Sequence, residues 1–87
     1  MNKLLVEFLG TLFFVFIIVS IGHPIAIGAA LTLAILLGAK ISGGHFNPAV
    51  SVAMTMAGKL PVNDLMLYIG SQVAGAVVAL QLKKHLK

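Results

Sequence analysis

Ile41-Ser42-Gly43-Gly44-His45-Phe46-Asn47-Pro48-Ala49-Val50 is the stretch whose reading decides the fold. Paired glycines followed by a proline exclude one continuous helix through it. From Pro48 to Ala57 the pattern is helical again, with Ala49, Val50, Val52, Ala53, Met54 and Met56. Asn47 suits the N-cap, where its side-chain oxygen can accept from an unsatisfied first-turn N–H. Pro48 suits the first helical position, where its missing N–H costs nothing. Gly58 suits the C′ position that ends such a helix. The helix expected over 48–57 is about 15 Å long at 1.5 Å per residue, against a hydrocarbon core about 30 Å thick. A capped apolar helix of half-bilayer length, behind a glycine-rich loop at 41–47, predicts a re-entrant element. Irregular backbone at membrane depth is stable only inside protein or along a water-filled path. A short interfacial helix is the competing reading, and the segment lacks the basic polar face such helices use.

The surroundings are apolar. The 87 residues are 60% hydrophobic and 9% charged, with mean hydropathy +1.10, where a soluble domain carries roughly 25% charged residues. Lipid is the matching solvent. With no cysteine, disulfides, thiolate metal sites and thiol catalysis are excluded. Glu7 and Asp64 make no carboxylate pair, and His23, His45 and His85 are too scattered for a metal site. The expectation is a protein that is not an enzyme and uses no cofactor. The six lysines lie at the ends of apolar runs. They read as headgroup anchors and not as a nucleic-acid footprint.

Between Lys3 and Lys40 the only charge is Glu7. As one helix this run would be about 54 Å long, so it must fold back. Gly22-His23-Pro24 supplies the break. Helices are expected at 4–21, 24–39 and 62–82, the last opening on Asn63 and Asp64 and closing on Lys83-Lys84-His85. The fold class is therefore an all-α, multi-pass integral membrane protein of three transmembrane helices plus one re-entrant half-helix. The sequence does not say which membrane. A cleaved leader is the competing reading of residues 1–22, and Glu7 and the lack of a small-x-small cleavage site argue against it.

The string Ser42-Gly43-Gly44-His45-Phe46-Asn47-Pro48-Ala49-Val50 resembles the Asn-Pro-Ala box of the aquaporin and glycerol-facilitator family in its first-repeat form. Glu7-Phe8-Leu9-Gly10-Thr11 is similar to the start of that family's first helix. Gly58-Lys59-Leu60-Pro61 is similar to the loop after its first half-helix, and Tyr68 to Ala76 to its third helix. The four segments occur in the family's order over nearly the whole chain. Family members hold two such repeats of opposite orientation, so residues 1–87 read as a single half-repeat.

The resemblance implies a passive channel for water and small neutral solutes such as glycerol. Asn47, Pro48 and Ala49 would form the pore box, with the backbone of Gly43, Gly44, His45 and Phe46 lining the path. Glu7 and Gln72 would support the loop. The chain holds no arginine. Val50 stands where the family's second repeat has its constriction arginine, and Ile27 falls at the aromatic position of the second helix, so these two are the constriction candidates. Physically the roles are sensible. Glycine lets carbonyls approach a solute, and a helix N-terminus at mid-membrane disfavours cations.

One half-helix lines half a pore. Two copies in opposite orientations would complete it as an inverted repeat. Lys3, Lys40 and Lys59 fall at one expected end and Lys83, Lys84 and Lys87 at the other, which permits insertion both ways. The expected assembly is an antiparallel homodimer, extended by family analogy to an octamer of four pores. Small residues every four positions, Ala26, Ala30, Ala34 and Gly38 on the second helix and Ser71, Gly75 and Ala79 on the third, suit close helix association. The first helix, with Phe8, Phe13, Phe14 and Phe16, reads as lipid-facing. Glu7 reads first as a buried structural acceptor and second as a proton relay. His45 reads as loop packing, pore lining or a pH gate. Other readings stay open: a half-channel that needs a different partner chain, a non-selective holin-like small membrane protein, or an inactive relic.

Overall fold

The computed structural model describes residues 2–86. Four helices follow in chain order: α1 (Lys3–Ser20), α2 (Pro24–Ser42), α3 (Pro48–Met56) and α4 (Val62–His85). Three of them, α1, α2 and α4, are long and apolar enough to cross a membrane. The nine residues of α3 span about 14 Å.

The ends follow local chemistry. Asn2 caps α1 by accepting from the Leu5 N–H at 2.8 Å. His23 caps α2 through Nδ1, which accepts from the Ile25 N–H at 3.1 Å, with Pro24 opening the helix. Gly58 closes α3 in a Schellman motif, its N–H donating to Thr55 O and the Lys59 N–H to Met54 O. Two helices outrun their expected ends. Helix α2 continues through Lys40, Ile41 and Ser42 instead of stopping at Ala39, so the irregular loop is Gly43–Asn47 and not 41–47. Nothing in residues 40–42 breaks a helix. The break is Gly43 at φ +92°, a left-handed conformation that glycine adopts without a Cβ clash. Helix α4 continues past Leu82 to His85, because the basic residues there complement the helix dipole.

Helix α1 is the centre of the bundle. It packs most extensively on α4 and next on α2, while α3 packs on α4. This corrects the lipid-facing reading of α1. Val6, Glu7 and Thr11 are buried, and of its phenylalanines only Phe13 is exposed. Most of the small residues act inside the chain. Ala30, Ala34 and Gly38 form the buried stripe of α2, and Gly75 and Ala79 join Tyr68 and Gln72 on the buried stripe of α4. A Cβ on Gly75 would stand 2.5 Å from the Phe8 carbonyl oxygen, so the α1 and α4 backbones touch there.

An ion pair of 2.7 Å between Lys3 Nζ and Asp64 Oδ2 sets the starts of α1 and α4 at one end. The three-residue turn 21–23 returns α2 antiparallel to α1, bringing Lys40 and Lys59 to that same end. Lys83 and Lys84 close α4 at the other end, and Lys87 lies outside the described residues.

The close contact makes a stability prediction. Gly75→Ala drives a methyl into α1 backbone and is expected to destabilise by about 1–3 kcal/mol, as overpacking does. Gly70→Ala on the same helix meets nothing within 4 Å and is expected to be neutral or to stabilise by about 0.5–1 kcal/mol through helix propensity. Thermal unfolding in detergent micelles, followed by circular dichroism, compares the two.

Candidate functional site

The site is built on one carboxylate. Glu7 is fully buried on α1, and four donors converge on it. Oε2 accepts from Ser42 Oγ at 2.7 Å and from the His45 N–H at 3.1 Å. Oε1 accepts from the Phe46 N–H at 2.8 Å and from Gln72 Nε2 at 2.8 Å. An ionised carboxylate is acceptor-only, so a shell made entirely of donors suits it. The four donors come from α2, the loop and α4. One group thereby fixes the loop against the three long helices.

A second set of bonds ties α3 to the same centre. Gln72 Nε2 also donates to Ser51 Oγ at 2.8 Å. Ser51 is fully buried on α3, and its Oγ lies 2.8 Å from His45 Nδ1. The Ser51 hydroxyl thus bridges Gln72 and His45, the sense of its bond to Nδ1 following the imidazole tautomer. The Tyr68 hydroxyl donates to the Ser42 carbonyl at 2.7 Å, and its ring tilts against His45 with centroids 5.2 Å apart. His45 is thus a packed loop residue with 7% of its surface exposed.

Phe46 holds the loop from the other side. It adopts φ +55°, a conformation that costs a bulky residue energy and needs surrounding structure to enforce it. The two N–H groups on Glu7 and a buried ring supply that enforcement. The ring packs with Val6 and Ala34. A Cβ on Gly10 would collide with it, and one on Gly38 would stand 3.1 Å from it.

The outcome is the presentation of Asn47. It is exposed at the N-terminus of α3, and its Oδ1 accepts from the Ala49 N–H at 2.8 Å. That bond commits the amide oxygen to the cap, while Nδ2 donates no hydrogen bond among the described residues. Among the described residues no hydrogen bond reaches the carbonyls of Gly43, Gly44, His45 or Phe46. A groove of about 480 Å³ lies at the α3 tip, lined by Asn47, Pro48, Thr11, Phe14, Gln72 and Val77 among others. Two buried polar atoms beside it, Thr11 Oγ1 and Gln72 Oε1, have no partner. A second groove of about 400 Å³, wholly apolar, runs between α1 and α2 and shares Phe46 with the first.

The structure brings Glu7, Gln72, His45, Phe46, Asn47 and Pro48 together. It does not bring Ile27 to Val50. Ile27 lies near the start of α2 and Val50 in the first turn of α3, and neither lines either of these two grooves. Sequence reasoning missed Ser42, Ser51 and Tyr68 as members of the network. Tyr68 could have been found from Tyr68, Gln72, Gly75 and Ala79, which share one helix face.

The comparisons with known proteins agree with this architecture. The family model described as "Major intrinsic protein" matches residues 1–87. The chain is 44% identical to "Glycerol uptake facilitator protein-like 6" of Lactiplantibacillus plantarum, over 91% of this chain and 41% of that protein. It is 43% identical to "Aquaporin Z" of Brucella melitensis, again over 91% of this chain and 41% of that one. It is 37% identical to "Aquaporin NIP1-1" of Arabidopsis thaliana, over 91% of this chain and 31% of that one. The chain therefore spans less than half the length of these relatives. No solved structure matches it. With a buried carboxylate holding a capped half-helix among three apolar spans, and with these relatives, the chain belongs to the major intrinsic protein family.

Proposed function

We propose that the chain forms a passive transmembrane channel for water and small neutral solutes such as glycerol, its pore completed by a second copy inserted in the opposite orientation. The observation that carries this reading is the Asn47 cap. Its oxygen is spent on the Ala49 N–H, so its amide hydrogens are free to orient a passing solute beside carbonyls that accept no other bond. The helix dipole of α3 places partial positive charge at the same point and disfavours cations. The names of the relatives, an aquaporin and a glycerol uptake facilitator, support the solute class.

The second copy is argued from what this chain leaves open. Helix α3 packs on α4, and the groove at its tip, lined by residues of α1 and α4, has two unpartnered polar atoms beside it. Buried polar groups in native assemblies are nearly always satisfied. Another α3 entering from the opposite end fits this groove. It would bring Val50 of the second copy toward Ile27, which lies at the end of α2 far from its own loop. With no arginine in the chain, that constriction is apolar. The lysines, three against three in the sequence, give little orienting bias. Four such pores in an octamer is the larger assembly this reading extends to.

Purified protein in liposomes is expected to raise stopped-flow water and glycerol permeability above that of empty vesicles. Asn47→Asp is expected to lower the flux about tenfold, the equivalent of one hydrogen bond of about 1.4 kcal/mol. No flux from folded, inserted protein would overturn the self-sufficient pore in favour of a different partner chain. Glu7→Gln sets amide donors against donors. It is expected to reduce thermal stability by about 1.5–3 kcal/mol, the scale of a hydrogen bond to a charged group, with loss of flux. Orientation has its own test, because the chain lacks cysteine. Asn63→Cys and His85→Cys, at opposite ends, are each expected to react with an impermeant thiol reagent in about half the molecules of intact cells. Labelling of one position alone excludes insertion both ways.

A further inference from the structure

Phe46 passes through the seam between α1 and α2. Gly44 rests against Ile35 and Ala39, on one flank of the buried Ala34–Gly38 stripe of α2. The apolar groove lies on the opposite flank, lined by Leu33, Leu37 and Ile41 of α2 with Leu9 and Phe13 of α1. These flanks follow from helical spacing, since residues one before and one after a stripe position point to opposite sides. The loop is thus on one side of the α1–α2 pair and the groove on the other. Phe46 lines both this groove and the groove at the Asn47 tip. Its ring fills the space left by Gly10 and Gly38, where both helices lack side chains.

We propose that Phe46 is a lateral seal, whose ring closes the α1–α2 seam and keeps hydrocarbon from reaching Asn47. The proposal rests on the reading of the tip groove as part of a covered solute path. A path for polar solutes through lipid needs walls as well as a lining, because an apolar hole stays dry and takes up apolar molecules. At this seam the two glycines bring no side chain of their own, so the Phe46 ring, packed with Val6 and Ala34, forms the largest part of the wall. The same residue sets the register of the box, since Asn47 follows it directly. This also gives the left-handed backbone of Phe46 a reason: it turns the ring into the seam while the next residue caps α3.

The chain has no tryptophan, so Phe14→Trp in the tip groove supplies a single indole reporter. The reporter protein is placed in vesicles of phospholipid with brominated acyl chains, which quench indole on contact, and water flux is recorded in parallel. Weak quenching is expected while Phe46 is intact, severalfold stronger quenching with Phe46→Ala, and an intermediate value with Phe46→Leu. The milder variant also serves if Phe46→Ala does not fold. Leu37→Ala enlarges the lipid-side groove without opening the seam and is expected to leave quenching unchanged. Quenching that stays weak in both folded Phe46 variants overturns the seal while leaving the covered path intact. Strong quenching with Phe46 present shows a tip groove open to lipid and overturns both. Absent flux with the expected quenching pattern rejects the channel reading alone.

Discussion

A single buried carboxylate organises this molecule. In hydrocarbon an unpaired charge or an orphaned backbone N–H costs several kcal/mol. Glu7 and the loop therefore solve each other's problem. The loop N–H groups of His45 and Phe46 need acceptors that a helix no longer supplies, and the carboxylate needs donors that lipid cannot offer. Ser42 and Gln72 complete the shell, and each belongs to a different long helix. The result is a re-entrant loop whose position is set by charge-assisted bonds and not by packing alone.

Packing then has to meet the geometry those bonds demand. For Glu7 to reach the loop, α1 must run close to both α2 and α4, and small residues make room. Gly75 lets α4 touch the α1 backbone, while Gly10 and Gly38 open the space that Phe46 fills. Stripes that suit association between chains are thus used within one chain. What remains outward is mostly large and aliphatic, such as Leu36, Leu37 and Met66, which suits a lipid-facing surface.

The functional consequence lies in how Asn47 is held. Glu7 fixes the two residues before it, Ser51 and Gln72 fix the helix after it, and the cap bond fixes the amide itself. A group that must orient a moving solute has to be rigid, because freedom lost on each encounter would weaken the discrimination. The network around Asn47 supplies that rigidity in the proposed channel.

Much of this was legible in the sequence. The three apolar runs, the break at Gly22-His23-Pro24, the Asn47 cap with Pro48, and the Gly58 stop are local, because each depends on the chemistry of a few neighbouring residues. Glu7 could be singled out as a charge within an apolar run. The tertiary structure alone decided the rest. It set which helix lies at the centre, where the small residues point, and that Phe46 faces inward through a helix seam. It also showed that Ser42, Ser51 and Tyr68 join the network with Glu7 and Gln72. Those outcomes depend on partners 21 to 65 positions apart in the chain, and local propensity and periodicity carry no information about which distant donor an acceptor will meet.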